Sequence, residues 1–361
     1  MKKIQSLILI LKKHRYYLFL AIFILLVLIF LLVKDKPAIK PENQSGSLAD
    51  EQEQTEEEHE SEDLGDVSPL SGMPCLNYQQ RPLAVVLASD PAARPLAGLY
   101  EADLVLEMPV ITNDITRMIA VFTCNEPKEI GPLRSARHDF ISLAMGLDAV
   151  LVHWGGSHFA LDELKISLMD NIDAIGNSYN AFYRKAWLDP PHNAFTSASR
   201  LLTAAKRLDY RLENEFEGYI FKNPISSQTE NSNKRLVIKY SYPYNVEYYY
   251  DSSKNSYFRW RAGLREIDRN NNKQIEAKNI VVMRVYSEQI EGQYNDLDIE
   301  GEGNCQVYQN GEVIDCTWQK DGNNSESKLS FLNKKNSEEV SFVPGQLWIE
   351  VIEPHREVIW E

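Results

Sequence analysis

The amino-terminal segment constrains this chain most. Lys12, Lys13 and Arg15 precede eighteen consecutive apolar or aromatic residues, Tyr16 to Val33, and Lys34, Asp35 and Lys36 follow. An uncharged run of that length can just cross a bilayer core as a helix. The expectation is a single N-terminal transmembrane helix over residues 16–33, after a cytoplasmic tail of residues 1–15. Lys2, Lys3, Lys12, Lys13 and Arg15 outweigh Lys34, Lys36 and Lys40 on the far side, which puts the N-terminus in the cytoplasm and the body outside. A cleaved signal peptide would have a shorter apolar core and a small-residue exit, whereas this run leaves through Leu31-Leu32-Val33. A lipoprotein signal would need a cysteine directly after the run, and the first cysteine is Cys75.

Residues 37–74 read as an acidic, disordered tether. Eleven Asp or Glu residues and no Lys or Arg lie between Glu42 and Asp66. Such a stretch repels itself and cannot bury enough apolar surface to offset its ordering entropy. The formal net charge is −14, and the head and tether account for only −4 of it, so residues 67–361 remain acidic. That balance argues against nucleic acid or anionic lipid as the general partner of the body.

All four cysteines fall in the body. Asn310-Gly311, between CQVYQ and EVIDC, is the signature of a two-residue hairpin turn. Counting outward from the turn sets Cys305 opposite Cys316, so a disulfide is sterically allowed. That register gives a hydrogen-bonded pair, whose wider spacing would strain the link. Cys75 and Cys124 then pair by elimination. Neither pair has C-x-x-C spacing, so no metal site is expected from the cysteines. Two disulfides require an oxidising compartment, in agreement with an extracellular body.

The body is expected to be an α/β N-terminal domain, residues 75–225, followed by a smaller, mostly β C-terminal domain, residues 235–361. In the first, LAVVLA (Leu83 to Ala88), Asp103 to Met108, Arg117 to Thr123 and Asp148 to His153 read as buried strands. Helical patterns run from Ser135 to Gly146, His158 to Met169 and Ser197 to Leu208. Strands alternating with helices favour a mixed or parallel sheet. Beyond a polar stretch near Ser226 to Lys234 the texture turns to short segments rich in Tyr, Val and Ile. Asp268-Arg-Asn-Asn-Asn272 resembles the start of a calcium loop, but Lys273 stands where glycine is required, so it reads as a turn.

Three polar segments precede helical patterns and could carry chemistry. In Gly131-Pro-Leu-Arg-Ser-Ala-Arg137, Arg134, Ser135 and Arg137 sit at a helix start, where free N–H groups and two guanidinium forks attract carboxylate or phosphate. Arg117 opens a nearby strand and could converge on them. Internal carboxylates such as Glu107 or Asp139 are the structural alternative for these arginines. In His153-Trp-Gly155-Gly156-Ser157 a strand ends in a glycine pair, where open α/β sheets place ligands. Ser157 could cap the next helix, and His153 could act as acid or base, or be a satisfied core histidine. The third is Pro191-His192-Asn193-Ala194-Phe195-Thr196-Ser197, a rigid loop leading into a helix. No nucleophile elbow, phosphate-loop lysine or metal-ligand set is present, and no cofactor is expected.

With these segments set out, the chain resembles the YerB-like family of bacterial envelope proteins, many described as lipoproteins and of unknown function. The similarity is carried by RPLAVVLASDPAARPLAGLYEADLVLE (Arg81 to Glu107), DITRMIAVF, IGPLRSARHDF, VHWGGS and PPHNAFTS. It continues through AKNIVVM, GEGNCQVYQNGEVIDCTW and PGQLWIEV. The resemblance implies an N-terminal and a C-terminal family domain held outside the membrane, and it supplies no reaction. The apolar anchor stands where the lipidated cysteine is expected, and Cys305 and Cys316 replace small residues. The favoured reading is a binding or assembly factor of the cell envelope. An Arg/His-lined pocket would meet an anionic ligand, such as a cell-wall polymer or another envelope protein. Its rivals are a hydrolase or transferase with His153 or His192 as general base beside Glu107 or Asp114, and a protein-binding scaffold.

Overall fold

The computed structural model describes residues 66–361 apart from 167–168 and 223–233. Its strands follow the apolar runs. Strand β1 (Leu83–Ala88), β2 (Leu104–Pro109) and β3 (Thr116–Phe122) are buried at every position, as strands covered on both faces must be. They are extended by β4 (Val150–His153) and β5 (Asn171–Asp173). Further along the chain come β6 (Arg235–Ile238), β7 (Val246–Asp251), β8 (Ser256–Arg261) and β9 (Asn279–Arg284). The hairpin strands β10 (Gly301–Gln309) and β11 (Glu312–Lys320) follow, then β12 (Ser330–Asn333), β13 (Leu347–Ile352) and β14 (Val358–Trp360).

Ten of these form one mixed sheet in the order β12-β11-β10-β9-β13-β2-β3-β1-β4-β5. Strand β13 lies between β9 and β2, parallel to both, with Leu347 beside Leu104 and Glu350 beside Glu107. The sheet therefore continues through both halves of the sequence. This corrects the expected α/β domain followed by a separate β domain. Among the described residues strands hold 40% and helices 12%, so the body is mostly β. Its described residues form one compact unit. No helix among the described residues is long and apolar enough to cross a membrane. Residues 16–33, where a spanning helix is expected from the sequence, lie outside the described residues, as does most of the expected tether.

Period-2 alternation divides the core between the two faces of the sheet. Ala84 and Val86 pack with helices α1 (His138–Met145) and α2 (His158–Lys165). Leu83, Val85 and Leu87 pack on the other face with helix α3 (Ala198–Arg207) and with a second, antiparallel sheet of β8-β7-β6-β14. Both disulfides are present, Cys75–Cys124 and Cys305–Cys316. The latter are direct cross-strand partners with a Cα separation of 4.8 Å. Asn310 and Gly311 both have positive φ, 55° and 70°, as the expected hairpin turn demands.

A buried charge network fastens the small sheet to the large one. Arg259 and Arg261 on β8 reach Glu107 on β2, and Arg259 also donates to Glu350 on β13 at 3.0 Å. Glu266 accepts from both arginines, and the hydroxyls of Tyr240 and Tyr248 donate to Glu350. All five charged side chains are at most 5% exposed. Burial alone would raise the Glu107 carboxyl; Arg261 and Arg259 reverse that and hold it at about 2. At Glu350 burial prevails, helped by the like charge of Glu107, and its carboxyl is pushed up.

Candidate functional site

The 130–137 segment is the common neighbour of the other two polar segments. On one side Ile130 bridges Thr196, and the Leu133 N–H donates to the Ala194 carbonyl at 2.9 Å. On the other, Trp154 N–H donates to Arg134 O, Ala136 N–H to Gly155 O, and Ser157 N–H to Ala136 O. Arg134 N–H binds Val86 O, which fixes the segment along β1. Gly155 turns its carbonyl toward both Ala136 and the His153 ring with φ +62°, a conformation that favours glycine. The three segments thus lie edge to edge. Helix α1 starts at His138, later than the Ser135 cap the sequence suggests. Ala136 is already engaged in extended backbone bonds, the Ser135 carbonyl accepts from Arg117 Nη1, and Arg137 is extended at φ −122°.

Arg117, Arg134 and Arg137 are brought together with little opposing charge. Arg117, on β3, is 6% exposed and donates from Nη1 to the Ser135 carbonyl at 2.8 Å. Its guanidinium is pushed well below the usual arginine range by burial first, then by the positive charges of Arg137 and Arg134. Arg137, 5% exposed, lies with its guanidinium 5.0 Å from the Tyr294 ring centroid and is also pushed down, by burial first. Arg134 has the cluster's nearest carboxylate, Asp90, at 3.6 Å. Among the described residues Arg117 and Arg137 have no carboxylate partner, and the buried Nε atoms of Arg134 and Arg137 have no acceptor. The two carboxylates the sequence suggests as internal partners are engaged elsewhere. Glu107 serves Arg259 and Arg261, and Asp139 accepts the Leu297 N–H. Buried cations lacking counter-charge are costly, so this corner is suited to an anion.

The remaining predicted residues divide into internal and peripheral ones. His153 is fully buried, with Nδ1 2.8 Å from Gly155 O and Nε2 3.2 Å from Asn171 Oδ1. Gly156 bridges Ala136, and Ser157 caps α2 through the Ala160 N–H. Asn193 Oδ1 accepts from Arg184 at 2.6 Å, while that guanidinium lies 4.1 Å from the Trp154 ring centroid. Arg184 thereby ties the Asn193 loop to the 153–157 loop, a link no local pattern announced. His192 is half-buried, and its buried Nδ1 has no partner among the described residues. Neither Glu107 nor Asp114 is a hydrogen-bond partner of His153 or His192 among the described residues, and Asp114 is exposed in the β2–β3 turn. Two cavities, of about 440 and 370 Å³, are lined by other residues; the second lies beside His138, Asp139 and Asp296.

Comparison with known proteins agrees with the motif reading. A family model described as "Protein of unknown function (DUF3048) N-terminal domain" matches residues 70–211, and the C-terminal domain model of that family matches residues 236–349. The chain is 30% identical over 293 residues to "Putative lipoprotein YerB" of Bacillus subtilis (strain 168), spanning 79% of this chain and 86% of the relative. A crystal structure of YerB from Bacillus subtilis is similar with a TM-score of 0.72 at 28% identity, covering 81% of this chain and 99% of that one.

Proposed function

This chain belongs to the DUF3048 family, which carries no assigned reaction, and from that premise we propose that it is an envelope-associated binding protein for an anionic ligand. The ligand's carboxylate or phosphate group is received by Arg117, Arg134 and Arg137. The observation carrying this reading is the charge imbalance: among the described residues only Arg134 of the three neighbouring arginines has a carboxylate partner, at 3.6 Å, and the buried Nε atoms of Arg134 and Arg137 lack acceptors. An anion entering there forms charge-assisted bonds already paid for in desolvation. Two disulfides support an oxidising location, and the Bacillus subtilis relative carries the name of a lipoprotein. Outside a cell, wall peptide and teichoic-type polymer are accessible polyanions of this chemistry. No such support exists for a hydrolase reading through His153, whose two ring nitrogens are both engaged inside the fold.

The test is calorimetric titration of residues 62–361 with purified wall peptide and with teichoic-type polymer. The Arg134→Ala/Arg137→Ala variant should lose at least about tenfold in affinity, since each charge-assisted bond contributes about 1.5–3 kcal/mol. Equal binding by variant and wild type would remove the proposal.

A further inference from the structure

A second cluster lies at the start of α1, one residue beyond Arg137, and its chemistry is of opposite sign. His138 and Asp139 meet the hairpin of Ser287–Glu291 and Tyr294–Leu297. The Leu297 N–H donates to Asp139 Oδ1 at 2.9 Å and fixes that carboxylate. His138 Nε2 lies 3.0 Å from Asp296 Oδ1 and 3.5 Å from Asp139 Oδ1. One donor atom from each of the three residues falls within 4.8 Å of the other two.

The two separations from His138, 3.0 and 3.5 Å, match a metal's coordination edges. With bonds of about 2.1 Å, adjacent ligands stand about 3.0 Å apart in an octahedron and about 3.4 Å apart in a tetrahedron. A hydrogen-bonded His–Asp pair would account for the 3.0 Å distance alone. It leaves Asp139 unexplained. That side chain is 2% exposed, its Oδ2 has no partner, and no lysine or arginine pairs with it among the described residues. His138 Nδ1 is likewise buried without a partner among the described residues.

The surroundings point the same way. The cavity of about 370 Å³ beside the cluster is lined by Asp139, Asp296, Glu163, Asp298 and Glu300 together with His138, and by no lysine or arginine. Glu163 is pushed up by burial first, with Asp296 and Glu300 adding like charge. One imidazole with carboxylates suits a first-row divalent ion better than calcium, which favours an all-oxygen shell. We propose that His138, Asp139 and Asp296 form a divalent transition-metal site, of zinc or manganese type, whose remaining coordination positions open on the acidic cavity. The proposal uses none of the three arginines as a ligand, although Asp139 lies close enough to bear on Arg137.

The experiment uses the full-length chain stripped with chelator and titrated with Zn²⁺, and in parallel with Mn²⁺. Wild type should take up one equivalent of at least one of the two ions. Asp139→Asn, which keeps the acceptor for Leu297, and His138→Gln should each weaken that binding at least about tenfold. Asp298→Asn, on the cavity wall outside the trio, should stay within about threefold. Because a variant could misfold, the wild-type chain supplies an independent readout. The imidazole ¹⁵N resonances of His138 should move in step with the bound equivalent. Absence of stoichiometric uptake of either ion, a His138 ring unmoved while metal binds, or full affinity in Asp139→Asn would each overturn the site.

Discussion

Replacing Glu107 by glutamine removes one carboxylate from the network between the two sheets while keeping side-chain volume. Its depressed carboxyl, about 2 against an ordinary 4.5, corresponds to roughly 3 kcal/mol at neutral pH. Breaking a buried pair by deleting one partner costs about 3–5 kcal/mol in general. The low end is expected here, because three carboxylates face two guanidiniums and the pushed-up Glu350 can ionise more fully once Glu107 is neutral. Arg261→Met should cost more, about 4–5 kcal/mol, since it leaves three carboxylates around Arg259 alone. Urea denaturation of residues 62–361 at pH 7 measures both. The Glu107 contribution is complete above its unfolded value near 4.5 and fades as pH falls toward 2, so the gap between wild type and Glu107→Gln should shrink from pH 7 to pH 3. A cost below about 1 kcal/mol, Glu107→Gln costing more than Arg261→Met, or a gap independent of pH would refute the reasoning.

Other outcomes follow from the same geometry. Arg117→Met should leave stability unchanged or raise it by about 1 kcal/mol, because it deletes a buried cation without a carboxylate, yet should weaken anion binding at least tenfold; a large loss of stability in urea would contradict this. Ser157→Ala should cost about 1 kcal/mol through the lost cap of α2, read by thermal melting. Removing the Cys75–Cys124 bridge, whose ends are 49 apart in sequence, should cost about 4 kcal/mol by chain entropy, against about 3 for Cys305–Cys316, 11 apart. Alkylation of the denatured, unreduced protein should label no thiol.

The local elements were largely legible, because their signals are local. LAVVLA is β1, Ser157 and Ser197 cap the helices they precede, and Asn310-Gly311 sets the register that joins Cys305 to Cys316. The single sheet that joins the two halves was not legible. Strand β13 inserts beside β2 from more than two hundred residues away, and nothing in LWIEVI names its partner. A polar stretch near 226–234 reads as a boundary whether or not the sheet continues beyond it. Arg259 and Arg261 share one face of β8, a spacing that usually marks a solvated face. Their burial depends on Glu107 and Glu350 arriving from the other sheet. At the site, Arg117 lies near Arg134 and Arg137, although the helix expected from Ser135 begins only at His138. The bridging role of Arg184 and the His138–Asp139–Asp296 cluster were not legible, since each needs residues from separate segments.

The central claim is that an anion seats on the three arginines. Its most direct measurement is ¹⁵N NMR of the arginine side chains of residues 62–361 during titration with glycerol phosphate and then with the polymer that binds. Saturable shifts are expected at Arg134 Nε and Arg137 Nε, the two buried arginine atoms without acceptors among the described residues, with Arg117 following. Binding of the polymer with those resonances unmoved would contradict it.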